Sequence, residues 1–281
     1  MNYLSLFRKF ATILRSMGFS KLVTFLRDSV DYLCLRIGYT PLKLAINGMI
    51  LCGFLRHRSF LSSLQGGYEV FLQQLFTEAL RPGVVVIDGG AHIGLYSIIA
   101  DQRLIGNGKI FAFEPDPFNF HALMKNLKIN RCQSVIAVPK ALSSSVGKTK
   151  LYVSEGTIST SLFKRRNVGK VKLIEVEMTT LDCEIKHLEL ESVVIKLDIE
   201  GAEPLAIEGM TETIRRAQSV LIFVEMNPSA LQAAGFSPNI LVHKLQALDL
   251  EIFFIDETSR ELIPVKSLLE WRKGNLLARK L

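Results

Sequence analysis

The most constraining feature of this 281-residue chain is a short apolar run that ends in a glycine-rich turn. Val84–Asp88 is rich in β-branched residues, as expected of a strand that is buried on both faces of a parallel sheet. The turn over Gly89–Gly94 follows, and helical spacing of apolar residues then continues over Ile93–Leu104. In open α/β folds such a turn lies at the carboxyl edge of the sheet, where ligands bind. The segment therefore predicts an α/β fold with a ligand site at this turn.

Strand and helix patterns alternate along the rest of the chain. A second strand over Lys109–Glu114, a helix capped by Asp116 and a third strand over Ser134–Leu142 come next. This order predicts right-handed crossovers and a parallel sheet with helices on both faces. The later patterns predict, in order, strands at Lys148–Ser154 and Lys170–Met178, a short helix opened by Thr180, a strand at Val193–Asp198, a helix at Glu203–Ala217, a strand at Ser219–Met226, a helix at Asn239–Leu248 and a strand at Glu251–Ile255.

The first 80 residues have a different sequence pattern from the rest of the chain. We expect a helical, basic segment over 1–80 in front of one large domain over 81–281. Helical patterns cover Tyr3–Met17, a stretch that Ser20 can cap, and Tyr68–Leu80. Residues 1–58 hold nine basic and two acidic residues, so they account for the whole net charge of +7. Two interpretations stay open. These helices pack on the sheet as a lid or dimer element, or they hold the protein peripherally at an anionic membrane face.

Composition excludes several classes of protein. The body of the chain is electrically neutral, which argues against a nucleic-acid binder. No apolar run is long enough to span a bilayer, and no secretory signal is recognisable at the N-terminus. The four cysteines have no CxxC spacing, so neither a zinc site nor a disulfide framework is indicated. These features predict a cytoplasmic protein, with a peripheral position at the inner membrane face if the second interpretation of its N-terminus holds.

Two acidic strand ends point to a nucleoside ligand. The turn has the spacing DxGxxxG rather than GxGxxG, which fits a dinucleotide less well, and Asp88 suits a cationic or hydroxyl-bearing ligand. Glu114 ends the second strand, where a carboxylate can accept hydrogen bonds from both ribose hydroxyls. Either residue alone fits an ordinary turn or cap, but Asp116 already serves as the cap. Together they predict a nucleoside site.

A third acidic cluster, Lys196–Glu203, follows the strand that ends near Asp198. Carboxylates this close together repel one another and cost stability unless they bind something. Glu203 can be explained as stabilising the N-terminus of its helix. Asp198 and Glu200 are interpreted as cofactor or substrate positioning groups, a general base, or ligands of a divalent metal.

Four blocks of the sequence, taken in order, resemble the FkbM-type family of class I S-adenosylmethionine-dependent methyltransferases. The resemblance implies a seven-stranded Rossmann-like sheet whose final strand is reversed. It also implies S-adenosylmethionine as methyl donor and an oxygen acceptor on a sugar, glycan, polyketide or similar small molecule. The blocks are Asp88-Gly89-Gly90-Ala91-His92-Ile93-Gly94, Phe113-Glu114-Pro115, Thr180-Leu181-Asp182 and Lys196-Leu197-Asp198-Ile199-Glu200-Gly201-Ala202-Glu203.

The same resemblance assigns roles by position. The turn would bind the methionine part of the cofactor through Asp88, Gly89, Gly90, Ala91, His92 and Gly94. Glu114 would hold the ribose, Ala141 and Leu142 would lie at the adenine edge, and Asp198 would face the methyl group with Glu200 nearby. His92 stands where the family commonly has asparagine, and we expect it to replace the polar contact of that amide.

The sequence bears on three alternatives to a small-molecule methyltransferase. A nucleic-acid methyltransferase calls for an Asn/Asp-Pro-Pro-aromatic motif after the fourth strand, and Asp198-Ile199-Glu200-Gly201 is not one. A protein acceptor and a non-catalytic nucleoside-binding protein stay open, although the latter does not explain the Asp198 cluster. The polar stretch Glu155–Gly169 is expected to form part of the acceptor pocket. Lys164-Arg165-Arg166 within it is interpreted as a solvated charge run, with contact to an anionic acceptor as the alternative.

Overall fold

A computed structural model describes residues 12–14, 16, 19–154, 160–163, 171–267 and 270–280. Most of the helix predicted at Tyr3–Met17, and the basic run Lys164–Arg166, lie outside these residues. The regular elements are α1 (Ser20–Arg36), β1 (Leu42–Ile46), β2 (Met49–Gly53), α2 (Arg58–Gln65), α3 (Val70–Ala79), β3 (Val85–Gly89), α4 (Leu95–Leu104), β4 (Lys109–Phe113), α5 (Pro117–Ile129), β5 (Val135–Val138), β6 (Ala141–Leu142), β7 (Gly147–Ser154), β8 (Thr160–Ser161), β9 (Val171–Thr179), α6 (Leu181–Glu184), β10 (Ser192–Leu197), α7 (Glu203–Glu208), α8 (Thr211–Arg216), β11 (Ser219–Met226), α9 (Pro228–Ala233), α10 (Pro238–Gln246), β12 (Glu251–Asp256), β13 (Glu261–Pro264) and β14 (Gly274–Lys280).

The main sheet has eight strands in the order β13-β12-β14-β11-β10-β3-β4-β5. The strands from β11 to β5 are parallel, whereas β14 runs antiparallel to both of its neighbours. The α/β fold with a reversed final strand is therefore confirmed. The sheet has one strand more than the seven expected, because β13 pairs with the free edge of β12.

A smaller sheet, in the order β6-β9-β7-β8, lies beside the main one and corrects a boundary. The stretch Ser134–Leu142 was predicted as one strand, but it is split between β5 in the main sheet and β6 in the small sheet. Pro139 has no N–H to donate, and Lys140 N donates to the carbonyl of Val138 at 2.9 Å. The tight turn that results redirects the chain from one sheet to the other.

The single helix predicted over Glu203–Ala217 is also wrong, because two short helices occupy the range. α7 ends at Glu208 and α8 begins at Thr211. Between them, a Cβ built on Gly209 would lie 2.0 Å from the carbonyl oxygen of Ser143. Only glycine permits this close backbone contact, so the break brings the loop after β6 against the main domain.

The N-terminal segment is not purely helical, because β1 and β2 form an antiparallel hairpin. The hairpin is held in place by Asn126 and Asn130. The side chain of Asn126 accepts from Cys52 N at 2.7 Å and donates to Cys52 O and Ile93 O, and that of Asn130 accepts from Ile50 N at 2.8 Å and donates to Ile50 O at 2.7 Å. Leu51 and Phe54 share one hydrophobic core with the residues of the main sheet. A domain boundary at residue 80 stays a prediction.

The first turn of α3 is closed by a residue far along the chain. Glu257 accepts hydrogen bonds from Phe71 N and Leu72 N, both at 2.9 Å. A carboxylate at a helix N-terminus satisfies free N–H groups and complements the helix dipole. Among the described residues, none of the helices is sufficiently long and apolar to traverse a bilayer.

Candidate active site

A cavity of about 410 Å³ opens at the carboxyl edge of the main sheet. Its volume lies within the range that is usual for small-molecule and cofactor sites. α2 and Tyr68 line one side and the small sheet lines another. Nine of the eleven predicted site residues line this cavity: Asp88, Gly90, Ala91, His92, Glu114, Ala141, Leu142, Asp198 and Glu200. Gly89 and Gly94 do not line it.

The glycine-rich turn requires its glycines for two different reasons. Gly90 and Gly94 have φ of 81° and 95°, in the left-handed region. A Cβ on Gly90 would also lie 2.1 Å from the carbonyl oxygen of Asp198. Because Asp198 N donates to Gly89 O at 3.0 Å, the turn and the Asp198 loop are in direct backbone contact. Two of the sequence blocks therefore form a single structural unit.

Asp88 is buried at the end of β3. Its Oδ2 accepts from Ser97 Oγ at 2.5 Å, which fixes the carboxylate against the first turns of α4. Burial raises the pKa of Asp88 to about 6, against the opposing effects of the Ser97 bond and the Lys196 ammonium. A cationic ligand in the cavity would restore the ionised form.

Glu114 is buried and fully engaged with its surroundings. One carboxylate oxygen accepts from His92 N at 2.8 Å, and the other accepts from Asp116 N at 2.8 Å and from Asn119 Nδ2 at 3.3 Å. Burial, and then repulsion from Asp116, raises the pKa of Glu114 to about 8. The carboxyl group is thus oriented in advance by the turn, by its own strand end and by α5.

A hydrogen-bond chain connects Glu114 to the N-terminal segment. Phe54 N donates to His57 Nδ1 at 3.0 Å, so the proton of this imidazole resides on Nε2. His57 Nε2 then donates to Asn119 Oδ1 at 2.9 Å, which leaves the amide of Asn119 to donate to Glu114. Burial lowers the pKa of His57 to about 4, so the ring stays neutral and the direction of the chain is fixed.

His92 is enclosed by rings. Its imidazole makes edge contacts with His57 and Phe60, with ring centroids 5.0 Å and 4.7 Å apart. Burial, and then the neighbouring His57 and Arg56, holds the pKa of His92 well below its usual value. Its Nε2 is buried and has no hydrogen-bond partner among the described residues. The polar contact to the cofactor that is expected of His92 stays a prediction.

The Asp198 loop faces a residue that sequence analysis missed, Glu225 near the end of β11. Asp198, Glu200 and Glu225 each offer a carboxylate oxygen, and these atoms lie within 4.8 Å of one another. Lys196 Nζ lies 3.8 Å from Asp198, and Lys273 Nζ lies 3.2 Å from Glu225. A signal existed in the sequence, because Lys196 and Glu225 are charged residues inside otherwise apolar strands.

The electrostatics of this cluster are dominated by burial. Burial, and then repulsion from Asp198 and Glu200, raises the pKa of Glu225 to about 9. Burial alone would lower the pKa of Lys196, but the surrounding carboxylates, Asp198 foremost, raise it above its ordinary value. The cavity lining carries more acidic than basic side chains: Asp88, Glu114, Asp198, Glu200 and Glu225 against Lys140, Lys196 and Lys273. Because burial raises the pKa of Asp88, Glu114 and Glu225, a cationic ligand bound here would favour the ionised forms of these carboxyl groups.

The strand order and the cavity at the sheet edge define a class I methyltransferase fold with a nucleoside-sized site. Residues 88–252 match the Methyltransferase FkbM domain. The chain belongs to the FkbM methyltransferase family, and it is an S-adenosylmethionine-dependent methyltransferase. The family assignment from the four sequence blocks is thereby confirmed.

Individual proteins similar to this chain carry related descriptions. The methyltransferase sdnD of Sordaria araneosa is 28% identical over 175 residues, which cover 51% of this chain and 67% of that protein. A SAM-dependent methyltransferase from Aquifex aeolicus has a TM-score of 0.44 at 10% identity, covering 79% of this chain and 98% of that one. M. jannaschii TYW2, solved in complex with AdoMet, has a TM-score of 0.43 at 13% identity and 84% coverage of each chain.

Proposed function

We propose that this methyltransferase transfers the methyl group to a hydroxyl oxygen of a sugar, glycan, polyketide or similar small molecule. The observation that carries the proposal is the convergence of Asp198 and Glu225 at the wall of the cavity, within 4.8 Å of each other. An alcohol must lose its proton as it is methylated, and a positioned carboxylate can accept that proton. Asp198 is the better placed of the two, because its side chain is 31% exposed whereas Glu225 is buried.

The cofactor would lie along the row of strand ends. Asp88, Gly90 and Gly94 belong to the turn that would hold the methionine part, and Glu114 would bind the ribose hydroxyls. Ala141 and Leu142 would border the adenine. S-adenosylmethionine, when bound, supplies a methyl carbon that is already electrophilic, so the main task of the protein is alignment. The carboxyl groups of the cavity lining would be favoured in their ionised forms beside the sulfonium and the α-ammonium of this cofactor, and each such pair is mutually stabilising.

In this proposal the acceptor lies between the Asp198 loop and the small sheet. Ser161 and Leu162 line the cavity, and Ser161 Oγ donates to the carbonyl oxygen of Glu200 at 2.8 Å. This contact supports the expectation that the stretch around residues 155–169 contributes to the acceptor pocket. Asp198 would take the hydroxyl proton, and Glu200 would support the charge of the loop.

A divalent metal is the alternative way to lower the pKa of the hydroxyl. Asp198 and Glu200, now joined by Glu225, would be its ligands. The ammonium groups of Lys196 and Lys273 already neutralise two of these carboxylates, which favours a general base over a second cation. Assays after dialysis against EDTA, with and without added Mg²⁺ or Mn²⁺, separate the two mechanisms. Retained turnover supports the base, and turnover restored only by metal supports the ion.

The decisive variant is Asp198→Asn, assayed beside the parent chain with labelled S-adenosylmethionine against sugars, glycans and polyketides, and against RNA and protein acceptors. We expect methyl transfer to be abolished while calorimetry still detects cofactor binding. Glu191→Gln is the matched control, because Glu191 is an exposed acid beside the opposite end of β10. Undiminished turnover in Asp198→Asn would exclude the base, and transfer only to RNA or protein acceptors would exclude the substrate class.

A further inference from the structure

The helix α1 has an apolar face that points to solvent. Leu22, Phe25, Val30, Leu33 and Ile37 are all exposed, and at 100° per residue they fall within roughly 140° of the helix circumference. Phe25, Leu33 and Ile37 are each 60–67% exposed. Single exposed apolar residues are ordinary, but a continuous stripe of them marks an interaction surface. We call these five residues the apolar stripe.

The opposite face of α1 is the one that attaches to the protein. Val23, Asp31 and Cys34 are its buried residues. Asp31 accepts hydrogen bonds from Leu55 N at 2.7 Å and from Arg56 N at 3.1 Å. The helix is therefore fixed by a buried carboxylate on one side and presents its apolar residues outward on the other. An amphipathic surface helix usually has one apolar face, turned towards the core, whereas α1 has apolar residues on its outer face as well.

The charge around the apolar stripe is positive. Residues 1–58 contain only two acids, Asp28 and Asp31, and both are occupied, by Arg27 and by backbone N–H groups respectively. Arg36, at the end of α1, and Lys43, in β1, are exposed. Basic residues beside an exposed apolar stripe are the combination that binds anionic lipid headgroups and inserts into the adjacent acyl boundary.

We propose that the apolar stripe of α1 is a membrane-binding surface that lies in the plane of an anionic bilayer. A second copy of the chain is the competing occupant, and charge argues against it. In a two-fold dimer the same patch meets itself, so the basic segment of one copy would face that of the other. An anionic bilayer offers apolar contact and the complementary charge together. This proposal does not depend on the acceptor or on the catalytic base.

Vesicle flotation of the full chain tests the surface directly. We expect it to float with phosphatidylcholine vesicles that contain roughly a third phosphatidylglycerol, less at high salt, and not with phosphatidylcholine alone. Phe25→Ser combined with Leu33→Ser should weaken binding about tenfold or more. Ile136→Ser combined with Val146→Ser is the matched control, since both side chains are exposed apolar residues elsewhere. This control should bind as the parent chain does.

Two further measurements keep the test decisive. Arg36→Glu combined with Lys43→Glu leaves the apolar stripe intact and should also reduce binding to anionic vesicles. Calorimetry with S-adenosylmethionine shows that each variant is folded, independently of methyl transfer. Equal vesicle binding by the parent chain and the Phe25/Leu33 variant would overturn the proposal. The proposal would also be overturned if the parent chain is a dimer by light scattering and does not bind vesicles, and if the Phe25/Leu33 variant is a monomer.

Discussion

The contact between the glycine-rich turn and the Asp198 loop makes a prediction that can be worked out in detail. In Gly90→Ala the new Cβ would lie 2.1 Å from the carbonyl oxygen of Asp198 and 2.9 Å from its carbonyl carbon. These atoms are backbone, so no side chain can rotate away to relieve the clash. The added methyl group must displace either the turn or the Asp198 loop.

The loss of folding stability expected for Gly90→Ala has two parts, one from the backbone conformation and one from the clash. An alanine at φ of 81° costs about 1–2 kcal/mol, because a left-handed conformation brings Cβ close to the following carbonyl. Moving the carbonyl oxygen from 2.1 Å to an ordinary contact of at least 3.4 Å is an overpacking change that typically costs about 1–3 kcal/mol more. We therefore expect Gly90→Ala to lower the free energy of unfolding by about 2–5 kcal/mol.

Alanine variants of two other glycines separate the cost of the clash from the cost of the backbone conformation. Gly83 and Gly235 have nearly the same φ, 87° and 82°, but a Cβ on either would have nothing within 4 Å. Their alanine variants should lose only the conformational part, about 1–2 kcal/mol, in urea denaturation. In Gly90→Ala methyl transfer should also fall, by about 100-fold if the loop moves by 1 Å. If Gly90→Ala costs no more than the two controls and keeps full turnover, the proposed coupling of turn and loop is wrong.

Three more predictions follow from buried polar groups. Asn126→Ala removes the buried one of the two asparagine side chains that hold β2 in place and should cost about 2–4 kcal/mol in urea denaturation, whereas the exposed Lys128→Ala on the same helix should be nearly neutral. Asn119→Ala breaks the hydrogen-bond chain that orients Glu114. The KM for S-adenosylmethionine should therefore rise about two- to tenfold with kcat little changed. A fall in kcat alone would contradict this positioning role. The raised pKa of Glu114 means that the folded protein holds a proton that the unfolded chain loses near pH 4.5. Stability should therefore decline as the pH rises from about 4.5 to 8, and Glu114→Gln should flatten that decline in thermal melts across this range.

Local sequence patterns were sufficient to predict most strands of the main sheet. β11 has the predicted bounds, β4 and β12 differ from prediction by one residue at one end, and β3 and β10 are shifted by one residue at both ends. The central strands could be located because buried parallel strands are continuous apolar runs. The errors lie where a distant contact decides the local conformation. The break at Gly209 depends on the carbonyl of Ser143, and the split of Ser134–Leu142 depends on pairing between β6 and β9. Neither partner is visible in a local window.

Some residues of the candidate site could likewise be predicted from local patterns, and others depend on distant contacts. Asp88, Glu114 and Asp198 follow apolar strands, so their common location at the sheet edge could be predicted from strand order. Glu225 lies inside an apolar strand, and its proximity to Asp198 requires the register of β10 beside β11. The enclosure of His92 by His57 and Phe60 could not be foreseen, because it depends on how the N-terminal segment packs over the turn.

The carboxylate of Glu257 that closes the first turn of α3 also affects the order in which the chain can fold. During synthesis Phe71 leaves the ribosome 186 residues before its partner. At ordinary rates of elongation this interval lasts about 10–40 seconds. Throughout it, the start of α3, which lies two residues after the cavity-lining Tyr68, lacks its final hydrogen bonds. The apolar stripe needs no such late partner, because Asp31 binds Leu55 N and Arg56 N. The proposed membrane-binding surface of α1 can therefore form before the start of α3 is completed.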